Sequence, residues 1–218
     1  MDCWDDLKFF QSGEWQVIQE RLADMDKAKI TYCPARENIF ASFDVLPFED
    51  VRVMIMGQDP YPDPAMATGI AFSIAEGVKK FPPSLLNIFK EYVLDLKYPM
   101  PTTGNLMPWV EQGVFLWNAS PVCKAWTPLS CDWPEWQELN IEIIQELSKR
   151  EIVFVFLGGR AREYAKYVGE GCEIIETSHP SPRGVMASKT PIIGSRLFST
   201  INAKLNKLRM STIEWRLR

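Results

Sequence analysis

The sequence predicts an α/β fold, a three-layer α/β/α sandwich around a central, mainly parallel four-stranded sheet. Three observations predict it. Four short apolar runs of strand length alternate with longer stretches whose apolar residues recur with helical spacing, an order that calls for parallel strands covered on both faces. The strongest run, Ile152-Val153-Phe154-Val155-Phe156-Leu157, has no polar residue at all, as a strand buried on both faces requires. Each run is followed by a polar turn punctuated by proline or glycine.

In chain order, residues 15–25 form a helix ahead of the first strand, residues 51–56. Residues 83–96 open with Pro82-Pro83-Ser84, suited to a first helical turn, and carry Leu85, Leu86, Ile88, Phe89, Tyr92 and Val93 on one face. The second strand spans residues 114–117 and precedes a helix over residues 133–149; the third, residues 152–157, precedes a helix over residues 159–168. Residues 173–176 give the fourth strand and residues 196–208 the last helix. No repeat, linker or low-complexity stretch interrupts the pattern, so a single domain is expected over residues 1–218.

A chain of 218 residues, 46% of them hydrophobic, can bury roughly 70% of its unfolded surface without staples. No apolar run approaches the roughly 18 residues of a membrane span. The acidic start, Met1-Asp2-Cys3-Trp4-Asp5-Asp6, lacks the apolar segment of a secretion signal. The expectation is a cytoplasmic protein, nuclear in a eukaryote, with no membrane partner. Five scattered cysteines (Cys3, Cys33, Cys123, Cys131, Cys172) form no C-x-x-C and are expected to be reduced thiols, with no metal bound. Net charge is −4 but uneven: residues 1–50 hold 11 acids and 5 bases, residues 151–218 hold 6 acids and 11 bases. From His179 onward eight bases, ending at Arg216 and Arg218, face Glu214 alone. Such a segment either meets phosphate or is a solvated helix face.

The turns carry the chemistry. After the four strands come Gly57-Gln58-Asp59-Pro60-Tyr61-Pro62, Asn118-Ala119-Ser120-Pro121, Gly158-Gly159-Arg160 and Thr177-Ser178-His179-Pro180-Ser181-Pro182. Ligands of open α/β sheets bind beyond the carboxyl ends of the strands, so the four turns should share one rim. Singly, each residue has an ordinary reading: Asp59 starts a turn, Asn118 closes one, Phe72 fills the core, and His179, the only histidine, is a hydrogen-bonded structural residue. Together, a carboxylate, an amide, an aromatic plane and an imidazole suit a planar heterocycle with a hydrogen-bonding edge, such as a nucleobase. Pro and Ser turns beside them offer backbone N–H groups to phosphates.

Gly57-Gln58-Asp59-Pro60-Tyr61, Phe81-Pro82-Pro83-Ser84-Leu85-Leu86-Asn87, Leu116-Trp117-Asn118 and His179-Pro180-Ser181-Pro182 closely resemble, in order and spacing, the motifs of family 1 uracil-DNA glycosylases. Ile39-Phe40-Ala41-Ser42-Phe43 and Ile213-Glu214-Trp215 extend the resemblance over nearly the whole chain. The resemblance implies a monofunctional enzyme, acting as a monomer, that flips uracil out of single- or double-stranded DNA and hydrolyses its N-glycosidic bond to begin base excision repair, without metal or cofactor. It implies Asp59 and His179 as catalytic residues, and Gln58, Tyr61, Phe72 and Asn118 as the uracil site. It further implies Pro82, Pro83, Ser84, Gly158, Gly159 and Ser181 as contacts to the DNA backbone, with Lys79, Lys80 and the basic carboxyl end adding attraction. An acidic protein that mimics DNA is a further partner such a groove accepts. Three departures stand out. Pro62 replaces the histidine that usually ends the first motif. Arg183-Gly184-Val185-Met186 replaces the leucine wedge, leaving Arg183 or Met186 for that task or a decorated surface with single-stranded preference. Trp117 replaces the usual leucine, read as a larger core filler. The rival readings are a catalytically weakened relative serving as a DNA-binding or scaffolding subunit, a glycosylase of another family, and a nucleotide-binding α/β protein, the last without any G-x-G-x-x-G or P-loop.

Overall fold

All four apolar runs enter one sheet. Strands β1 (Val53–Gly57), β2 (Val114–Asn118), β3 (Val153–Leu157) and β4 (Glu173–Thr177) pair in the order β2-β1-β3-β4, each pair parallel. The structure, a computed structural model, describes residues 4–217; Met1, Asp2 and Cys3 of the acidic start and Arg218 of the basic end lie outside the described residues. β1, β2 and β3 are buried along their whole length, whereas β4, at the edge, is half exposed. That difference explains why three strands read as unbroken apolar runs and the fourth as Glu-Ile-Ile-Glu. β1 starts two residues later than the apolar run because the N–H groups of Arg52 and Val53 both go to the Gly113 carbonyl, at 2.9 and 3.1 Å. A second, two-residue ladder pairs Tyr32–Cys33 antiparallel with Cys123–Lys124.

Helices flank the sheet: α1 (Gly13–Lys27), α2 (Pro83–Leu96), α3 (Glu135–Ser148), α4 (Pro182–Ala187) and α5 (Leu197–Lys207). α1 packs on α3 and α2 on α5. Phe115 and Trp117, two residues apart and therefore on one face of β2, stack 5.9 Å apart beside Phe43. A second aromatic group joins Tyr92 of α2 and Phe198 of α5 to Trp109 and Trp215. The helix expected over residues 159–168 breaks: an α turn Gly159–Arg162 is followed by a 3-10 turn Ala165–Tyr167. There the Tyr164 N–H bonds the Ala161 carbonyl at 3.1 Å, the tightened i to i+3 pattern of a helix end. Among the described residues no helix is long and apolar enough to cross a membrane.

Register then fixes the rim. Gly57 lies opposite Asn118, and Leu157 opposite Thr177, so all four strands end level and the next few residues of each face the same crevice.

Candidate active site

The first turn and the second are laced together. The Ala119 N–H donates to the Gly57 carbonyl (3.1 Å) and the Ser120 N–H to the Gln58 carbonyl (2.9 Å). Above them is a cavity of about 120 Å³ lined by Asp59, Tyr61, Phe72 and His179, four of the residues singled out in the sequence, with Pro62, Ser84 and Pro128 among the rest of its wall. Gln58 and Asn118 stand outside that lining. Gln58 lies in the adjoining groove and donates its side-chain N–H to Asp59 Oδ1 at 3.2 Å. Asn118, 6% exposed, packs beside Gly57: a Cβ on that glycine would stand 2.6 Å from Asn118 Oδ1 and 2.8 Å from Phe72 Cζ. A glycine at the strand end is therefore what lets the amide and the ring approach each other. Among the described residues, the Asn118 amide has no hydrogen-bond partner.

Each side chain is held by something specific. Asp59 Oδ2 accepts from the Leu129 N–H at 2.8 Å, which with Gln58 fixes both carboxylate oxygens. The Tyr61 hydroxyl donates to the Phe72 carbonyl (3.1 Å) and accepts from Ser84 Oγ (3.2 Å), and burial pushes its phenol above the usual range. Ser84, expected at a phosphate, thus also braces a cavity wall. Phe72 sits at φ +64° with its ring 6.2 Å from the imidazole.

His179 has the most informative partner. The Ser181 backbone N–H donates to its Nδ1 at 3.1 Å. A nitrogen that accepts carries no proton, so neutral His179 has its proton on Nε2. Burial holds the imidazole below its ordinary value, while the Asp59 charge pulls the other way. Ser181 in addition caps α4, its hydroxyl accepting from the Gly184 N–H at 3.2 Å. Gly158, expected at a phosphate, is demanded by the histidine: φ is +104° and a Cβ would come 2.8 Å from the His179 Cβ. Gly159 has open space in front of it and lines the groove.

That groove, about 810 Å³, shares His179 with the smaller cavity and carries Arg162, Arg183 and Lys189. Arg183-Gly184-Val185-Met186, read in place of the wedge, lies within the short helix α4, with Met186 86% exposed and Arg183 on the groove wall. The basic carboxyl end divides. Lys204 and Lys207 both pair with Glu173, the first residue of β4 and so at the opposite end of the sheet from the rim, which for these two favours the solvated-face alternative over a phosphate contact at the rim. Trp117 is also more than filler: its indole N–H donates to Asn140 Oδ1 at 2.8 Å, and Asn140 Nδ2 donates to the Ala119 carbonyl at 2.7 Å, next to Asn118.

Several contributors carried no sequence signal. Leu129 acts through its backbone, and Pro128 is one proline among 16. Asn87 does stand in a quoted motif: its side chain donates to the Pro180 carbonyl at 2.8 Å and ties α2 to the histidine turn.

The chain is similar to known proteins over most of its length. The profile of the Uracil DNA glycosylase superfamily matches residues 43–206. A uracil-DNA glycosylase of Mycolicibacterium smegmatis is 40% identical over 189 residues, 85% of this chain and 82% of that protein. Uracil-DNA glycosylase 1 of Streptomyces coelicolor is 39% identical over 208 residues, 94% of this chain and 90% of that protein. In fold, the crystal structure of mimivirus uracil-DNA glycosylase superposes with a TM-score of 0.86 at 24% identity, covering 96% of this chain and 85% of that one. The mimivirus UNG Y322F variant, solved in complex with UGI, gives 0.87 at 24% identity over 98% and 87%. A carboxylate, a phenol, an aromatic ring and an Nε2-protonated imidazole around one base-sized cavity, on a chain matched over most of its length at 40% identity, place this protein in the uracil-DNA glycosylase family.

Proposed function

We propose that the chain hydrolyses the bond between uracil and deoxyribose in DNA, the opening step of base excision repair, with Asp59 and His179 acting on a base extruded into the cavity they share. The observation that carries this reading is the Ser181 N–H on His179 Nδ1, which leaves the proton of the neutral ring on Nε2 in a side chain that lines the same small cavity as Asp59.

Uracil stacked in DNA is out of reach and must leave the stack. In the cavity Phe72 lies against the ring. The Asn118 amide, without a hydrogen-bond partner among the described residues, accepts from uracil N3–H and donates to O4. Cytosine presents the reverse polarity at both atoms, and each mismatched buried group costs about 1–3 kcal/mol. Thymine adds only a methyl group, which a soft pocket scarcely rejects; Tyr61, braced by Ser84 and the Phe72 carbonyl, is the wall that excludes it.

As the glycosidic bond breaks, its electron pair goes to uracil and negative charge gathers on O2. His179 donates Nε2–H to that oxygen, and losing one such donor costs about 3–4 kcal/mol. The sugar becomes cationic. The Asp59 carboxylate stabilises it and orients the water that attacks C1′, an effect on the order of 10² to 10⁴ in rate. Pro82, Pro83, Ser84, Gly159 and Ser181 bear on the backbone around the flipped nucleotide, and Arg162, Arg183 and Lys189 attract it along the groove. Arg183 or Met186 of α4 fills the space the uracil leaves in a duplex. An acidic protein imitating the DNA backbone would compete for the same groove.

The test is direct. Uracil-containing and thymine-mismatched oligonucleotides are incubated with the protein in EDTA and examined for alkali-labile sites. Cleavage confined to the uracil strand supports the reading; no cleavage, or tight DNA binding without it, favours a non-catalytic relative.

A further inference from the structure

Among the described residues three apolar side chains sit at positive φ: Phe72 (+64°), Trp126 (+62°) and Leu129 (+61°); the other non-glycine cases are all charged. A left-handed backbone is costly for a bulky residue, and where it persists it commonly serves a site. Two of the three already belong to this one: Phe72 lines the cavity, and Leu129 holds Asp59 and lines the groove. Trp126 lies between them in sequence, three residues before Leu129. Its N–H donates to the Pro62 carbonyl at 2.7 Å, Pro62 and Pro128 both line the cavity, and the loop is anchored behind by Ala125 N–H on the Thr31 carbonyl (2.9 Å) and Thr127 N–H on that of Lys124 (3.0 Å). The side chain is nevertheless 71% exposed, while every other tryptophan is buried or half-buried, and it makes no ring contact with any described residue. The backbone that bonds the cavity-lining Pro62 thus carries an exposed indole two residues from the cavity-lining Pro128.

We propose that Trp126 is a stacking platform for the nucleobase beside the extruded uracil on the same strand, an inference that rests on the uracil reading above. When uracil leaves the stack, its neighbour loses a partner on one face. An indole offers a replacement surface, sequence-tolerant because every base has a π face. The benefit is greatest in single-stranded DNA, where no pairing partner holds the neighbour in place.

The experiment measures kcat and KM for uracil excision from single-stranded oligonucleotides by the wild type, Trp126→Ala and Trp126→Phe. The nucleotide on either side of uracil is replaced, one at a time, by an abasic spacer. Trp126→Ala should raise KM about tenfold, with kcat changed less than about twofold. The wild type should lose a similar factor on one of the two spacer substrates, Trp126→Ala should lose nothing further on it, and Trp126→Phe should recover most of the loss. An unchanged KM for Trp126→Ala, or spacer substrates that slow wild type and variant alike, would overturn the proposal. Failure of the wild type to release uracil from any substrate would instead overturn the parent reading, and this one with it.

Discussion

At the amino end of the sheet Arg52 donates to the carbonyls of Gln112 and Ser211, Arg150 to those of Phe48 and Glu49, and Glu173 receives both Lys204 and Lys207. At the carboxyl end Arg162, Arg183 and Lys189 line a groove and join no ion pair among the described residues, and the buried Asn118 amide has no partner. One end pairs its charged side chains internally; the other leaves its basic side chains unpaired along a groove. The hydrogen bonds from Lys204 and Lys207 hold the Glu173 carboxyl below its usual range, a local effect that exposed pairs seldom convert into much stability. The lesson is that basic residues count toward DNA binding by which strand end they stand at, not by their number.

The largest expected effects fall at the rim. Asp59→Asn and His179→Ala should each lower kcat by about 10² to 10⁴ while uracil DNA is still bound; wild-type turnover in either variant would remove it from the mechanism. Gly158→Ala forces a Cβ against the His179 side chain at φ +104°, and thermal unfolding should reveal a loss of about 1–3 kcal/mol together with slower excision. Tyr61→Ala should begin to release thymine from single-stranded DNA, and a folded variant that releases none would show that the wall lies elsewhere.

Acid should act through the only histidine. Below its folded pKa, which burial holds under the ordinary 6.5, a second proton enters at Nδ1, facing the Ser181 N–H donor. Activity is therefore expected to hold through neutrality and to fall about tenfold per pH unit only beneath that lowered value, read from kcat against pH. The smallest effects compare the two ends directly. Arg162→Ala and Lys189→Ala should each reduce the salt slope of DNA binding by somewhat less than one, and Lys204→Ala and Lys207→Ala should leave it unchanged. A reduced slope in the lysine variants would break the comparison.

Much of the framework was legible because burial on both faces writes itself as unbroken apolar runs, and because four strands ending level force their following turns together. Asp59 and His179 stood out in their turns, Phe72 outside them and Tyr61 through the resemblance, and all four line one cavity. What was not legible acts through the backbone or over long sequence separations. The Leu129 N–H on Asp59 has no signature, since every non-proline residue carries the same donor. Trp117 and Asn140 are 23 residues apart, and nothing in either neighbourhood announces their bond. Gly158 was assigned to the DNA backbone by resemblance; that the same glycine makes room for the histidine side chain could not be read from the sequence. The direction of the lysines on α5 was also hidden, because a run of bases records charge and not the end of the sheet it reaches.

Since His179 is the only histidine, its ring nitrogens can be followed alone by nitrogen NMR. At neutral pH the proton should reside on Nε2, with Nδ1 bare, and the Nε2–H resonance should move when uracil and abasic DNA are added but stay still with cytosine. A proton found on Nδ1, or an imidazole indifferent to uracil, would contradict the claim that this side chain faces the departing base.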